Sequence, residues 1–155
     1  MNGSQTAREV IRPARLHERE ALEDLQLQAA LMGMEDRAAL LANADAIDLP
    51  VDQIADGNVY VCESEGEIVG FGVVLPRADG QAELDGLFVR PDVWGEGYGR
   101  LLLEHGAAMA KGWGATGLHA VANAQAMGFY TACGFVANGV ARTRFKPATT
   151  MVKRL

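Results

Sequence analysis

Acidic residues run out two thirds of the way along this chain. None follows Glu104, although the segment from His105 onward carries Lys111, Arg142, Arg144, Lys146, Lys153 and Arg154. Cysteine is scarce as well: Cys62 and Cys133 are the two present, far apart and in different candidate elements. Such a pair makes no disulfide framework, and both thiols are expected reduced and buried. The three histidines, His17, His105 and His119, share no metal-ligand spacing, so no metal is expected. No run approaches the roughly 18 apolar residues of a membrane span, so no membrane partner is expected. The opening MNGSQTAREV lacks the apolar stretch of a secretory signal, which makes the cytoplasm the expected location. A net charge of −6 argues against a nucleic-acid partner recognised through a basic patch.

What is present is the material of one folded domain. A chain of 155 residues buries about two thirds of its unfolded surface. Residues 1–7 are expected to be a disordered tail, with a single domain over 8–155. The charge split, acidic first and basic last, suggests a site that holds an anionic ligand on one side and a cationic one on the other.

Taken in order, Glu9–Pro13 is a strand candidate, and Arg15–Leu31 carries leucines in an imperfect helical stripe that Gly33 can stop. A shorter helix is expected over Glu35–Asn43, then a loop with a helical turn over Ala44–Gly57. Asn58–Cys62 and Ile68–Leu75 form a hairpin about the Ser64–Glu67 turn. Gly70 and Gly72 weaken the second strand and mark a place where another backbone or a ligand comes close. Gln81–Val89 is a strand, Arg100–Lys111 a helix ended by Gly112 and Gly114, and Leu118–Val121 a short strand. Asn123 caps a helix over Ala124–Cys133. Val136–Thr143 and Thr149–Arg154 close the fold, paired across the Arg144–Ala148 turn. Hairpins first and βα units later imply an α/β protein with a mixed, mostly antiparallel twisted sheet of six to seven strands and helices on both faces.

The richest stretch is LFVRPDVWGEGYGRLLL. Gly95, Gly97 and Gly99 crowd the passage from a strand into a helix. Glycines there free the backbone to aim N–H groups at one point, and the helix start adds unpaired N–H groups and positive potential. That is an anion site, most often one for phosphate. A Walker A loop is excluded because no Lys follows the glycines. A dinucleotide fingerprint is excluded by the Gly-x-Gly-x-Gly spacing, by the four residues between Arg90 and Gly95, and by the missing acid further on.

The stretch LFVRPDVWGEGYGRLL resembles the acyl-CoA motif of the GNAT N-acetyltransferase superfamily, and NAQAMGFYTACGF, Asn123–Phe135, matches that family's Asn-x-x-Ala-x-x-Phe-Tyr-x-x-x-Gly-Phe at every specified position. The resemblance extends more loosely to IVGFGVV and MVKRL. It implies an acyl-CoA N-acyltransferase fold, an acetyl-CoA co-substrate and a primary-amine acceptor. It also implies that the strand ending at Val89 runs parallel to Leu118–Val121 and splays from it at a bulge near Asp85-Gly86. The pantetheine arm would pair with main-chain groups of Leu87, Phe88 and Val89. The pyrophosphate would sit on the N–H groups of Trp94, Gly95, Glu96, Gly97, Tyr98, Gly99 and Arg100, with Asn123 and Phe129 also toward the cofactor. One residue departs from the motif. Trp94 stands where the family has Arg or Gln.

For the chemistry, the resemblance implies Tyr130 as the acid that protonates the leaving thiolate and a backbone N–H near Val89 for the oxyanion. A phenol near pKa 10 can serve a thiol near 8.5. Glu83 is the expected base, acting through water; Asp85, His105 and His119 are its rivals. An ordinary carboxylate is about 6 units below a lysine-like amine, about 8 kcal/mol uphill for direct transfer, so the amine is perturbed on binding or the proton leaves along waters. The early helices and their loops are expected to form the acceptor pocket, for a small-molecule or peptide amine that the charge split suggests is cationic. A catalytically silent acyl-CoA sensor or assembly module of the same fold is the alternative, and a homodimer is the oligomer considered.

Overall fold

The structure, a computed structural model, describes residues 9–33, 48–142 and 147–155. The expected Glu35–Asn43 helix, the 1–7 tail and most of the 144–148 turn lie outside the described residues. The strands are β1 (Glu9–Pro13), β2 (Val59–Ser64), β3 (Glu67–Pro76), β4 (Ala82–Val89), β5 (Gly117–Ala122), β6 (Val136–Arg142) and β7 (Pro147–Arg154). The helices are α1 (Arg19–Gly33), α2 (Val51–Ala55), α3 (Tyr98–Gly112) and α4 (Met127–Ala132). The strands hydrogen-bond in the order β1-β2-β3-β4-β5-β7-β6, a seven-stranded mixed sheet. The chain divides into two compact units, Met1–Val73 with Gly86–Leu103 and Val74–Asp85 with Glu104–Leu155. Strands β3 and β4 and helix α3 each pass from one unit into the other.

In the first unit, β1, β2 and β3 form an antiparallel meander. Two residues, Glu65 and Gly66, turn β2 into β3, both at positive φ. Tyr60, Val61, Cys62, Phe71 and Val73 are almost fully buried. The two strand glycines are explained by close approach. A Cβ on Gly70 would lie 2.8 Å from the Phe88 carbonyl oxygen and 2.8 Å from Leu102 Cδ1, and one on Gly72 would meet the Tyr60 hydroxyl. That hydroxyl donates 2.8 Å to the Leu102 carbonyl, joining β2 to α3. Gly72 is therefore the space into which Tyr60 reaches a helix carbonyl. At the other end, Arg12 bonds Glu18 and Glu63, while Glu18 also accepts from the Arg15 N–H at 2.8 Å.

In the second unit, β5 and β7 pair antiparallel from Gly117↔Arg154 to Ala122↔Thr149, and β6 lies antiparallel beyond β7 with an irregularity between Ala137 and Gly139. The β4–β5 pairing is parallel, as expected, with register Ala82↔Leu118 and Glu83↔His119. Alternation splits the strands: Ala82, Leu84, Leu118, Ala120 and Met151 are buried, while Glu83, His119, Val121 and Thr150 face more open surroundings.

Among the boundaries that differ from the sequence expectation, two starts have a cause in the structure. Helix α3 starts at Tyr98 instead of Arg100, because Tyr98 is buried and its hydroxyl donates 3.1 Å to Ser64 Oγ. Burying an aromatic ring outweighs the roughly 1 kcal/mol that Gly99 costs in a helix. Helix α4 starts at Met127 instead of Ala124. Asn123 does cap, but it caps a turn first: its Oδ1 accepts from the Ala126 N–H at 2.8 Å.

Candidate functional site

The glycine loop lies in the first unit. Strand β4 ends at Val89, Arg90 returns an N–H to the Val69 carbonyl at 2.8 Å, and Pro91–Val93 make one 3-10 turn. Gly95 and Gly97 follow with φ of +88° and +92°. A Cβ would meet nothing within 4 Å at either, so their left-handed backbone is what requires glycine. The first α3 bond runs from Leu101 N–H to the Gly97 carbonyl at 3.1 Å. By helix geometry, Tyr98 and Gly99 therefore present N–H groups with no intrahelical acceptor. Gly95, Glu96, Gly97 and Arg100 are exposed, and Leu87, Phe88 and Val89 are half-buried, with Phe88 stacked on Phe71 at 5.3 Å. These groups suit an anion at the helix start and an extended chain along β4.

Trp94 is used differently from what the sequence suggested. Its backbone N–H donates to the Pro91 carbonyl at 3.2 Å, inside the turn. Its indole Nε1–H donates to the Val89 carbonyl at 2.7 Å. The side chain that breaks the motif thus ties the loop back to the strand it follows, while nearly half of it stays exposed.

Tyr130, in the second unit, is nearly buried. Phe129 and Phe135 meet its ring edge-on, with centroids 5.4 and 5.2 Å away. Burial pushes its phenol up to about 12. The group therefore keeps its proton at neutral pH, as a proton donor must. Lys153 Nζ donates 2.7 Å to the Cys133 carbonyl and closes the C-terminus of α4, which holds Tyr130 in place. Neither Cys62 nor Cys133 is in a disulfide and both are buried; burial raises the Cys62 thiol to about 11.

Glu83 lines a cavity of about 320 Å³ in the same unit, with Arg77, His119, Ala120, Val121, Asn138 and Thr150. Among the described residues, no hydrogen bond or ion pair engages its carboxylate. Arg77 bonds Asp79 at 3.0 Å, and Thr150 Oγ1 donates to Asn138 Oδ1 at 2.7 Å. Burial lowers the His119 imidazole from its ordinary 6.5, Arg77 lowers it further, and Asp79 and Glu83 oppose them. Asp85 is exposed and outside this cavity. His105 is half-buried, and burial lowers it as well. Arg77, Asn138 and Thr150 carried no signal in the sequence, because only strand pairing brings them to Glu83. A second, smaller cavity of about 210 Å³ lies in the first unit between α1 (Ala21, Asp24, Leu25, Gln28) and Ile68 and Arg90. Among the described residues no three His, Cys, Asp or Glu side chains gather as a metal site would need, and no helix is long and apolar enough to cross a membrane.

Comparison with known proteins decides the family. The model of the acetyltransferase (GNAT) family matches residues 22–135. The chain belongs to the GNAT family. Both the glycine loop and the Asn123–Phe135 segment fall inside the matched range. This GNAT protein is 33% identical over 97 residues to the peptidyl-lysine N-acetyltransferase YjaB of Salmonella typhimurium, a match spanning 62% of each chain. Its fold is that of solved GNAT acetyltransferases. The PaiA N-acetyltransferase of Thermoplasma acidophilum, solved with coenzyme A, superimposes with a TM-score of 0.77 at 17% identity, covering 95% of this chain and 99% of that one. A GCN5-related N-acetyltransferase of Rhodopseudomonas palustris gives 0.77 at 21% identity over 94% and 95%. N-acetylglutamate synthase of Neisseria gonorrhoeae, with coenzyme A and N-acetyl-glutamate, gives 0.72 at 20% identity over 95% and 35%.

Proposed function

We propose that this GNAT protein transfers an acetyl group from acetyl-CoA to a primary amine, by direct attack while both are bound. The observation that carries this is the loop Trp94–Gly99, whose two left-handed glycines lead into the Tyr98 and Gly99 N–H groups that have no intrahelical acceptor. A pyrophosphate suits that donor set, and Leu87, Phe88 and Val89 offer main-chain groups for the pantetheine arm. Asn123 and Phe129 belong to the cofactor side by the family motif. Residues 8–155 are taken as a single catalytic domain in this reading.

The acceptor side in this reading is the 320 Å³ cavity that Glu83 lines. Its Glu83 carboxylate invites a cation, so the acceptor is an ammonium-bearing small molecule or a peptide lysine; the lysine-directed name of the Salmonella relative supports the second. Chemistry requires that ammonium to lose a proton, which Glu83 draws off through water. The amine nitrogen then bonds the thioester carbon and the C–S bond breaks. Tyr130 gives its phenolic proton to the departing thiolate. The second proton, shed by nitrogen once the C–N bond exists, restores the phenol, so each turnover releases one proton to solvent.

The test is an acetyl-CoA consumption assay against primary amines: a lysine peptide, a diamine, a neutral amine and an anionic one. Turnover is expected with the first two, and Glu83→Gln should reduce it by about 100-fold. Binding of acetyl-CoA without turnover of any amine would replace the enzyme by a sensor. Preference for the neutral or anionic amine would overturn the cationic acceptor.

A further inference from the structure

His119 has no part in the mechanism just described, yet it shares the acceptor cavity with Glu83. The two are register partners on neighbouring parallel strands, Glu83↔His119, and both side chains line the 320 Å³ space. Val152 pairs with His119 on its other side, and Thr150 with Asn138 closes the cavity wall. The charged groups that act on the imidazole are Arg77 and Asp79 from the β3–β4 turn and Glu83 from β4. Arg77 and Asp79 are bonded to each other, so Glu83 is the anion left to answer a charge on the ring.

We propose that His119 is a second catalytic residue of this site, taking up at its imidazole the ammonium proton that the Glu83 carboxylate draws through water, while Glu83 supplies the compensating negative charge. This rests on the acetyltransferase reading above and completes its least favourable step. In the step, an N–H bond of the ammonium breaks and an N–H bond of imidazolium forms, with no net change of charge in the cavity. The imidazolium returns its proton to solvent after acetyl transfer. An imidazole of ordinary pKa is about 2.2 units nearer to an amine than a carboxylate is, which sets a ceiling of roughly 150-fold on the gain from a ring whose basicity burial lowers. Burial, by keeping the ring neutral at pH 7, keeps it ready to accept.

The experiment compares wild type, His119→Gln, His119→Asn and Glu83→Gln, with a lysine peptide and a diamine as acceptors, from about pH 5.5 to 9.5. Wild-type kcat/KM should fall on the acid side with an inflection below 6.5. Both His119 variants should lose about 100-fold at neutral pH, lose that inflection, and recover as rising pH frees the amine. Their KM for acetyl-CoA should stay within about two-fold of wild type. A His119 that merely holds the strands together would lower rate or stability and leave the inflection in place, which overturns the proposal. A wild-type profile with no acid inflection overturns it without any variant. If wild type acetylates neither acceptor, the acetyltransferase reading itself falls, and this proposal with it.

Discussion

Replacing Trp94 by Phe removes one hydrogen bond and little else. The indole N–H to Val89 carbonyl distance of 2.7 Å is at the short end for N–H···O, and nearly half of the side chain is exposed, so packing contributes modestly. A hydrogen bond of this kind has a net worth of about 1 kcal/mol. It ties the loop carrying Gly95 and Gly97 to the end of β4, so its loss lowers the fraction of molecules whose loop is ready for a phosphate. Apparent affinity falls by that same fraction, which for about 1 kcal/mol is at most roughly five-fold. The expected outcome is a Kd and KM for acetyl-CoA raised about three- to five-fold with kcat unchanged. Trp94 and Trp113 are the two tryptophans, so a Trp113→Phe background turns Trp94 fluorescence into a direct titration signal for the parent protein. Calorimetry measures the Trp94→Phe variant. An unchanged Kd would refute the clasp; a fall in kcat at unchanged Kd would mean that the indole acts on the chemistry instead.

Tyr130→Phe should keep acetyl-CoA binding and lose about 100-fold or more in turnover, measured by thiol release. Since burial holds that phenol near 12, it should contribute no falling basic limb to the pH profile below that value. Gly70→Ala drives a Cβ into the Phe88 carbonyl and Leu102, a backbone-limited overpacking worth about 1–3 kcal/mol, which should lower Tm by about 3–10 °C in calorimetry. Glu18 is held below its ordinary range by its bond to Arg12, against the opposing effect of burial, with the Arg15 N–H assisting. Its contribution to stability is therefore complete above 4.5 and lost as pH falls through the lowered folded value. Glu18→Gln should destabilise by about 2 kcal/mol at neutral pH and flatten the acid decline in urea melts.

What the sequence determined by itself was whatever is local. The Gly95–Gly99 loop and the Asn123–Phe135 segment are each contiguous, and their backbone demands are written in residue type: left-handed turns need glycine, and a turn start needs Asn123. From those two stretches the family was legible, and the order of elements implied the mixed sheet. Even Gly70 and Gly72 announced a close approach, though not what approached. Boundaries were less legible: burial of Tyr98 depends on a partner remote in sequence, Ser64, and Asn123 bonds Ala126 in a turn that precedes the helix it was expected to start. The tertiary structure alone decided what the side chains of Trp94 and Glu83 lie beside. An indole can point anywhere from a loop, and only the folded loop aims it at the Val89 carbonyl. Glu83 acquired its neighbours Arg77, His119, Asn138 and Thr150 through strand register, and register is set by pairing across the sheet. A shift of one residue would have turned Glu83 to the buried face and erased the cavity.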